Sequence, residues 1–197
     1  MQVVTLSGAG LTTAVGSLAD NIRPEFIPTH FVSIASGGVE IGKSLRARIR
    51  PSAVSIKVRA ERPSTGLKKR VPFLAYALRF LPYLITDRAR LIESRVLQWR
   101  NELRRERVAN PLSQATVRVL SRIPARPETR VLVVDDAVDG GGTLAGILKG
   151  LDHVGEAGGL VRSAVIVITR ENPIVWPDYY LMKDTIVRFP WSYDFKN

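Results

Sequence analysis

The chain lacks cysteine altogether and carries only two histidines among its 197 residues. Without cysteine there is no disulfide framework and no thiolate metal site. His30 and His153 lie far apart in sequence and make a poor pair of zinc ligands. No window of about 18 apolar residues exists, which argues against a transmembrane helix. The apolar stretch from Val71 to Ile85 is interrupted by Pro72, Arg79 and Pro82. The amino terminus shows no basic segment followed by an apolar core, so no signal peptide is expected and the cytoplasm is the default location. Internal repeats and low-complexity tracts are also missing.

What is present describes an ordinary globular protein: 45% hydrophobic and 24% charged residues. The length suits one domain, 1–197, with a core large enough to stand without staples. The net charge of +11 is unevenly spread. Residues 57–107 hold 14 Lys/Arg against 5 Asp/Glu and so supply +9 of it. The basicity therefore belongs to an insertion, 60–112, rather than to the general surface.

Strand and helix patterns alternate along the rest. Leu11 to Arg23 reads as a helix stopped by Pro24, and Phe31 to Ala35 as a short strand. After the turn Ser36-Gly37-Gly38 comes a helix, Val39 to Arg50, with Val39, Gly42, Leu45 and Ile49 on one face and Pro51 at its end. Ala53 to Arg59 reads as a second strand. Within the insertion, 62–70 has the composition of a mobile loop. Asp87 can cap a helix to about Val108, with Ile92, Val96, Trp99 and Leu103 as its stripe. Ser113 to Ser121 is a further helix. Arg130 to Val134 is a β-branched run suited to burial on both faces, breaking at Asp135-Asp136. Thr143 to Val154 reads as a helix and Ser163 to Thr169 as a strand. The tail is read as irregular, with one strand from about Thr185 to Phe189. The alternation predicts an α/β fold: a parallel sheet with helices on both faces.

The segment Val131-Leu132-Val133-Val134-Asp135-Asp136-Ala137-Val138-Asp139-Gly140-Gly141-Gly142-Thr143-Leu144 carries the chemistry. Ligands of parallel sheets sit outside the carboxyl ends of strands. Glycines let backbone N–H groups approach a phosphate, and the helix that follows adds free donors and the positive end of its dipole. The acidic pair can accept hydrogen bonds from sugar hydroxyls. A ligand with a phosphate at one end and a diol in its middle fits this pattern.

The same stretch resembles the signature of type I phosphoribosyltransferases, which bind 5-phosphoribosyl-1-pyrophosphate (PRPP). The resemblance implies that Asp135 and Asp136 contact the ribose hydroxyls, directly or through Mg²⁺, and that Asp139, Gly140, Gly141, Gly142 and Thr143 wrap the 5′-phosphate. Gly140 departs from the Thr or Ser usual there, so a hydroxyl donor is replaced by backbone donors and Thr143. Ala35-Ser36-Gly37-Gly38 resembles the family's pyrophosphate turn, which often contains a cis peptide. Lys43, a turn into the next helix, reads as solvated.

Similarity is nearest to the 6-oxopurine (hypoxanthine/xanthine-guanine) transferases. In them an aspartate at the place of Asp139 is the proposed general base near the purine N7; capping the helix is its other role. A basic residue after the last core strand contacts the 6-oxo group, and Arg170 holds that place. The stacking aromatic aligns with the aliphatic Ile186, so Trp176 or Tyr179 would cover the base from a hood within 171–197. The family further implies a loop closing over the site, with Lys68, Lys69 or Arg70 reaching the pyrophosphate. A homodimer or higher homo-oligomer is expected. Two rival readings stay open: an unusual acceptor, and a PRPP-sensing regulator using 57–107 on nucleic acid. A membrane surface is another partner for that basic face.

Overall fold

The computed structural model of the chain describes residues 2–59, 109–192 and 195. The expected loop 62–70 with Lys68, Lys69 and Arg70, and the expected helix from Asp87 to Val108, lie outside the described residues. The described elements are β1 (Gln2–Thr5), α1 (Gly8–Ile22), β2 (His30–Ile34), α2 (Gly37–Ile49), β3 (Val54–Val58), α3 (Gln114–Leu120), β4 (Arg130–Val138), α4 (Gly142–Lys149), α5 (Asp152–Glu156), β5 (Leu160–Ile168), β6 (Tyr179–Lys183) and β7 (Thr185–Arg188).

The centre is β4, whose residues Val131 to Val134 are fully buried. Strand side chains alternate between faces, and here both faces are covered. Phe31, Leu132, Val134, Ala164 and Ile166 pack with Leu18, Ile22, Ile41 and Leu45 of α1 and α2. Val32, Ile34, Val131, Val133 and Val165 pack with Leu120, Leu144, Ile147 and Val154 of α3, α4 and α5. Apolar residues at every position are what a parallel sheet between two helical layers demands. The sheet has the order β3-β2-β4-β5-β6, with all pairings parallel.

That order reverses direction within the sheet. From β2 the chain moves outward to β3, and from β4 it moves the other way to β5. The crevice between the carboxyl ends of β2 and β4 is the topological switch point, where doubly wound sheets bind ligands.

The structure differs from the sequence expectations in four places. Strand β4 continues through Asp135 and Asp136 to Val138, because β5 keeps pairing with it as far as Val138↔Ile168. The helix expected from Thr143 to Val154 is divided into α4 and α5, with Gly150 at the end of the first and Leu151 capping the second. In the range 171–197, Tyr179–Lys183 forms β6, an edge strand of the main sheet. Asp178 pins its start, accepting bonds from Arg162 Nη1 (2.6 Å), Ser163 N (2.8 Å) and Ser163 Oγ (2.8 Å). The hydrogen bond to Asp178 holds the Arg162 guanidinium above its ordinary pKa. Finally, Gln2–Thr5 is a strand, pairing in parallel with β7 in a second, two-stranded sheet. Asp184, at φ 52°, turns the chain between the two sheets in a conformation that aspartate tolerates better than most residues.

Candidate functional site

Two turns face each other at the switch point. The first leaves β2 at Ile34 and passes through Ala35 and Ser36, joined by a cis peptide bond, into Gly37 and Gly38 at the start of α2. The second leaves β4 at Val138 and passes through Asp139, Gly140 and Gly141 into α4. The expected PRPP-binding residues Ser36, Gly37, Gly38, Asp135, Asp136, Asp139, Gly140, Gly141, Gly142 and Thr143 thus occupy one end of the sheet.

The two segments touch. A Cβ placed on Gly37 would lie 1.9 Å from Asp136 Oδ2, and one on Gly38 would lie 2.5 Å from the Val134 carbonyl oxygen and 2.8 Å from Asp135 Cα. Only glycines allow this approach. Asp135 is buried, 4% exposed, and its Oδ1 accepts from the Asp136 backbone N–H at 2.9 Å. Asp136 is half-buried; its Oδ1 accepts from Ala137 N–H at 3.0 Å and its Oδ2 from Trp191 Nε1 at 2.8 Å.

The glycine bend joins β4 to α4. Gly141 caps α4 at φ 82°, where a side chain would be strained and would crowd the backbone of Ile174 and Val175. The Gly140 carbonyl accepts from Ile174 N–H (3.0 Å) and the Gly142 carbonyl from Asn110 N–H (2.8 Å). Carbonyls are thereby tied back to the protein. Among the described residues, no hydrogen bond takes up the N–H groups of Gly140, Gly141, Gly142 or Thr143. They remain as an anion nest at a helix start. Asn110 Nδ2 also donates to Thr143 Oγ1 at 3.1 Å, which leaves the threonine hydroxyl hydrogen available as a donor. Asn110 escaped the sequence reading: it fell inside the range assigned to the insertion, 33 residues before its partner.

Asp139 and Arg170 are brought together. Arg170 Nε lies 2.5 Å from Asp139 Oδ1 and Nη2 lies 2.8 Å from Oδ2, a two-pronged ion pair. Thr169 Oγ1 adds a third bond to Oδ1 at 3.0 Å. The Arg170 side chain is 14% exposed and that of Asp139 59%. Of the other base-binding candidates, Trp176 is 47% exposed and makes a tilted contact with Tyr180 at 6.2 Å. Ile186 is half-buried in β7, paired with Val3 of β1. Trp191, whose neighbourhood was read only as part of the hood, is the aromatic that reaches the acidic pair.

Two adjacent carboxylates are the hard oxygen donors Mg²⁺ prefers. Among the described residues no cluster of three or more His, Cys, Asp or Glu could cage a metal alone. Mg²⁺ is commonly held by one or two carboxylates together with substrate phosphates, and the donor set of Asp135 and Asp136 fits that chemistry. A shallow cavity of about 650 Å³ lies at the opposite, amino end of the sheet, lined by Arg23, Glu25, Phe26, Thr29, Arg50 and Arg130 among others. It has neither glycine bend nor helix start. No helix among the described residues is long and apolar enough to cross a membrane.

The phosphoribosyl transferase domain family model matches residues 7–196. No curated protein sequence matches the chain. Among solved structures, a purine phosphoribosyltransferase from Pyrococcus horikoshii Ot3 is similar at 18% identity and TM-score 0.58, covering 100% of this chain and 97% of that one. The Helicobacter pylori xanthine-guanine-hypoxanthine phosphoribosyltransferase is similar at 14% identity and TM-score 0.56, covering 96% and 93%. A hypothetical protein from Neisseria gonorrhoeae with bound ppGpp is similar at 16% identity and TM-score 0.59, covering 96% and 89%.

Proposed function

The chain belongs to the phosphoribosyl transferase domain family, and from that premise we propose that it is a Mg²⁺-dependent enzyme transferring the 5-phosphoribosyl group of PRPP to a 6-oxopurine or similar base, with release of pyrophosphate. The observation that carries the reading is the meeting of Gly37 with Asp136 across the switch point, beside the unclaimed amides of 140–143. PRPP is a phosphate, a diol and a pyrophosphate in a row. The amides and Thr143 suit the 5′-phosphate, Asp135 and Asp136 the diol, and the Ser36–Gly38 turn the pyrophosphate.

The purine N9 forms a bond to C1′ as the bond from C1′ to the pyrophosphate oxygen breaks, and the proton the base must lose passes from N7 to Asp139. A carboxylate offers about four lone-pair sites. Three of those on Asp139 are engaged by Arg170 and Thr169, leaving room for one proton donor. The guanidinium of Arg170 is a forked donor suited to an oxo group beside that nitrogen. Mg²⁺, when bound, offsets charge on the departing pyrophosphate. The protein's own contribution is positioning and fixed dipoles.

The test is pyrophosphate release from PRPP and Mg²⁺ with hypoxanthine, guanine, xanthine, adenine, orotate and uracil in turn. Activity on 6-oxopurines that disappears in D135N/D136N supports the proposal. Unchanged PRPP affinity in that double variant refutes the pocket. A second reading, a PRPP-sensing regulator, is favoured by the +9 charge within 57–107. Salt-sensitive retention of nucleic acid, without turnover of any base, would replace the enzyme with it.

A further inference from the structure

Trp191 approaches the site from a distant part of the chain. Its indole N–H donates to Asp136 Oδ2 at 2.8 Å, and the same nitrogen lies 2.6 Å from where a Cβ on Gly37 would stand. The indole therefore bridges the Gly37 turn and the end of strand β4.

Its own orientation is set from behind. Phe189, 4% exposed in the core, stacks against it with ring centroids 5.0 Å apart and planes 3° from parallel. The bend that carries it is closed by two reciprocal bonds: Phe189 N–H to Ser192 Oγ at 3.0 Å and Ser192 N–H to the Phe189 carbonyl at 2.9 Å. The chain just before is anchored by β7, which pairs with β1, and by Arg188, whose Nη1 donates to Thr5 Oγ1 at 2.8 Å. A stacked indole on a closed bend is a rigid donor.

Asp136 has few other restraints. Its Oδ1 accepts from the backbone N–H of its neighbour Ala137, a local bond that does not by itself aim the carboxylate across the crevice. The long-range bond from Trp191 does. Two of about four lone-pair sites are then used by the protein, and two remain for a ligand.

We propose that Trp191 is a positioning residue of the PRPP site: its indole N–H holds the Asp136 carboxylate against the Gly37 turn, so the acceptor for the ribose diol is set before the ligand arrives. This rests on the reading of Asp135 and Asp136 as the diol-binding pair. Preorganisation of this kind is read in ligand affinity, since a free carboxylate must be reordered on binding.

The experiment is calorimetric titration of the whole protein with PRPP and Mg²⁺, for wild type, W191F, W191H, D136N and W191F/D136N. W191F keeps a ring against Phe189 and deletes the donor. Affinity for PRPP is expected to fall about tenfold in W191F, the scale of one lost hydrogen bond to a charged group. W191H, which restores a ring N–H, is expected to recover part of it. In the W191F/D136N variant the loss is expected to equal that of D136N alone, because Trp191 acts through that carboxylate. A merely structural tryptophan would give additive losses, and that result overturns the proposal. So does wild-type affinity in W191F. Should W191F prove unfolded, W191H and W191H/D136N take its place: an affinity for W191H between those of wild type and D136N, with no further loss in the double variant, supports the proposal, and additive losses overturn it. Failure of wild type to bind PRPP overturns the diol-binding reading along with it, whereas wild-type binding with an indifferent Trp191 removes this inference alone.

Discussion

Gly37 and Gly38 are neighbours in one turn, and the structure predicts different consequences for adding a methyl group to each: chiefly lost PRPP affinity at the first, chiefly lost stability at the second. In G37A the new carbon would stand 1.9 Å from Asp136 Oδ2, 2.4 Å from Asp136 Cγ and 2.6 Å from Trp191 Nε1. All three are side-chain atoms: the aspartate can rotate away, whereas the stacked indole of Trp191 must be displaced with it. The fold then loses one hydrogen bond to a charged group, about 1.5–3 kcal/mol, partly offset by about 1 kcal/mol from better helix propensity. Net destabilisation should be at least about 0.5–2 kcal/mol by these figures. PRPP, however, loses a carboxylate from its diol site, and forfeiting charge-assisted bonds of about 1.5–3 kcal/mol weakens binding roughly 10- to 100-fold. In G38A the carbon would meet the Val134 carbonyl oxygen at 2.5 Å and Asp135 Cα at 2.8 Å. Those atoms belong to the central strand and cannot step aside, so α2 itself must move. Overpacking against backbone should cost about 1–3 kcal/mol or more. Urea unfolding gives the stability difference and calorimetry with PRPP the affinity. Wild-type PRPP affinity in G37A, or a G38A variant as stable as wild type, would refute the packing on which the site is built.

Other expectations follow from the same geometry. R170K replaces a two-pronged partner of Asp139 by a single point of charge; the KM for the acceptor base should rise roughly tenfold while PRPP affinity in calorimetry stays put. G141A forces a side chain to φ 82°, costing about 1–2 kcal/mol, and should lower the thermal midpoint by roughly 2–8 °C. Burial holds the pKa of His30 below its ordinary value of 6.5. Below that pH the unfolded chain binds a proton that the folded chain resists, so stability is full above about pH 6.5 and declines as pH falls beneath it. Denaturation at about pH 7.5 and about pH 5.5 should reveal the decline in wild type and a smaller one in H30Q.

The parts legible in the sequence are those whose cause is local. Val131 to Leu144 could be read because a strand buried on both faces, an acidic pair and a glycine bend each leave a composition mark within a few residues. Gly42 could be placed on a buried face by periodicity, and its ideal Cβ indeed falls 2.0 Å from Ser33 Oγ of β2. The parts that stayed hidden are made by distant chain meeting distant chain. Asn110 clasps Thr143, Trp191 clasps Asp136, and Arg170 clasps Asp139 across 33, 55 and 31 residues. Strand β1 escaped notice because Gln2–Thr5 is short, with two of its residues exposed and two half-buried. Strand β6 did because an edge strand shows one row of its backbone to solvent and needs no continuous apolar run.

The misplaced end of β4 explains why the acids can serve a ligand. A strand that stopped at Val134 would leave Asp135 and Asp136 on a loop, free to swing. Instead, β4 stays paired with β5 to Val138, while its other neighbour, β2, pairs with it only as far as Ser33↔Val134. The last residues of β4 are thus held along one edge and open along the other. On the open edge the chain has turned aside at Ala35, and the Gly37–Gly38 backbone packs directly against the acids, which only residues without side chains can do. The acids are consequently fixed by a rigid strand yet uncovered by the next one. Sites built on strands hold their groups more closely than sites built on loops. The crevice is therefore a property of unequal strand lengths at the point where the sheet changes direction, and the glycines keep it from being filled.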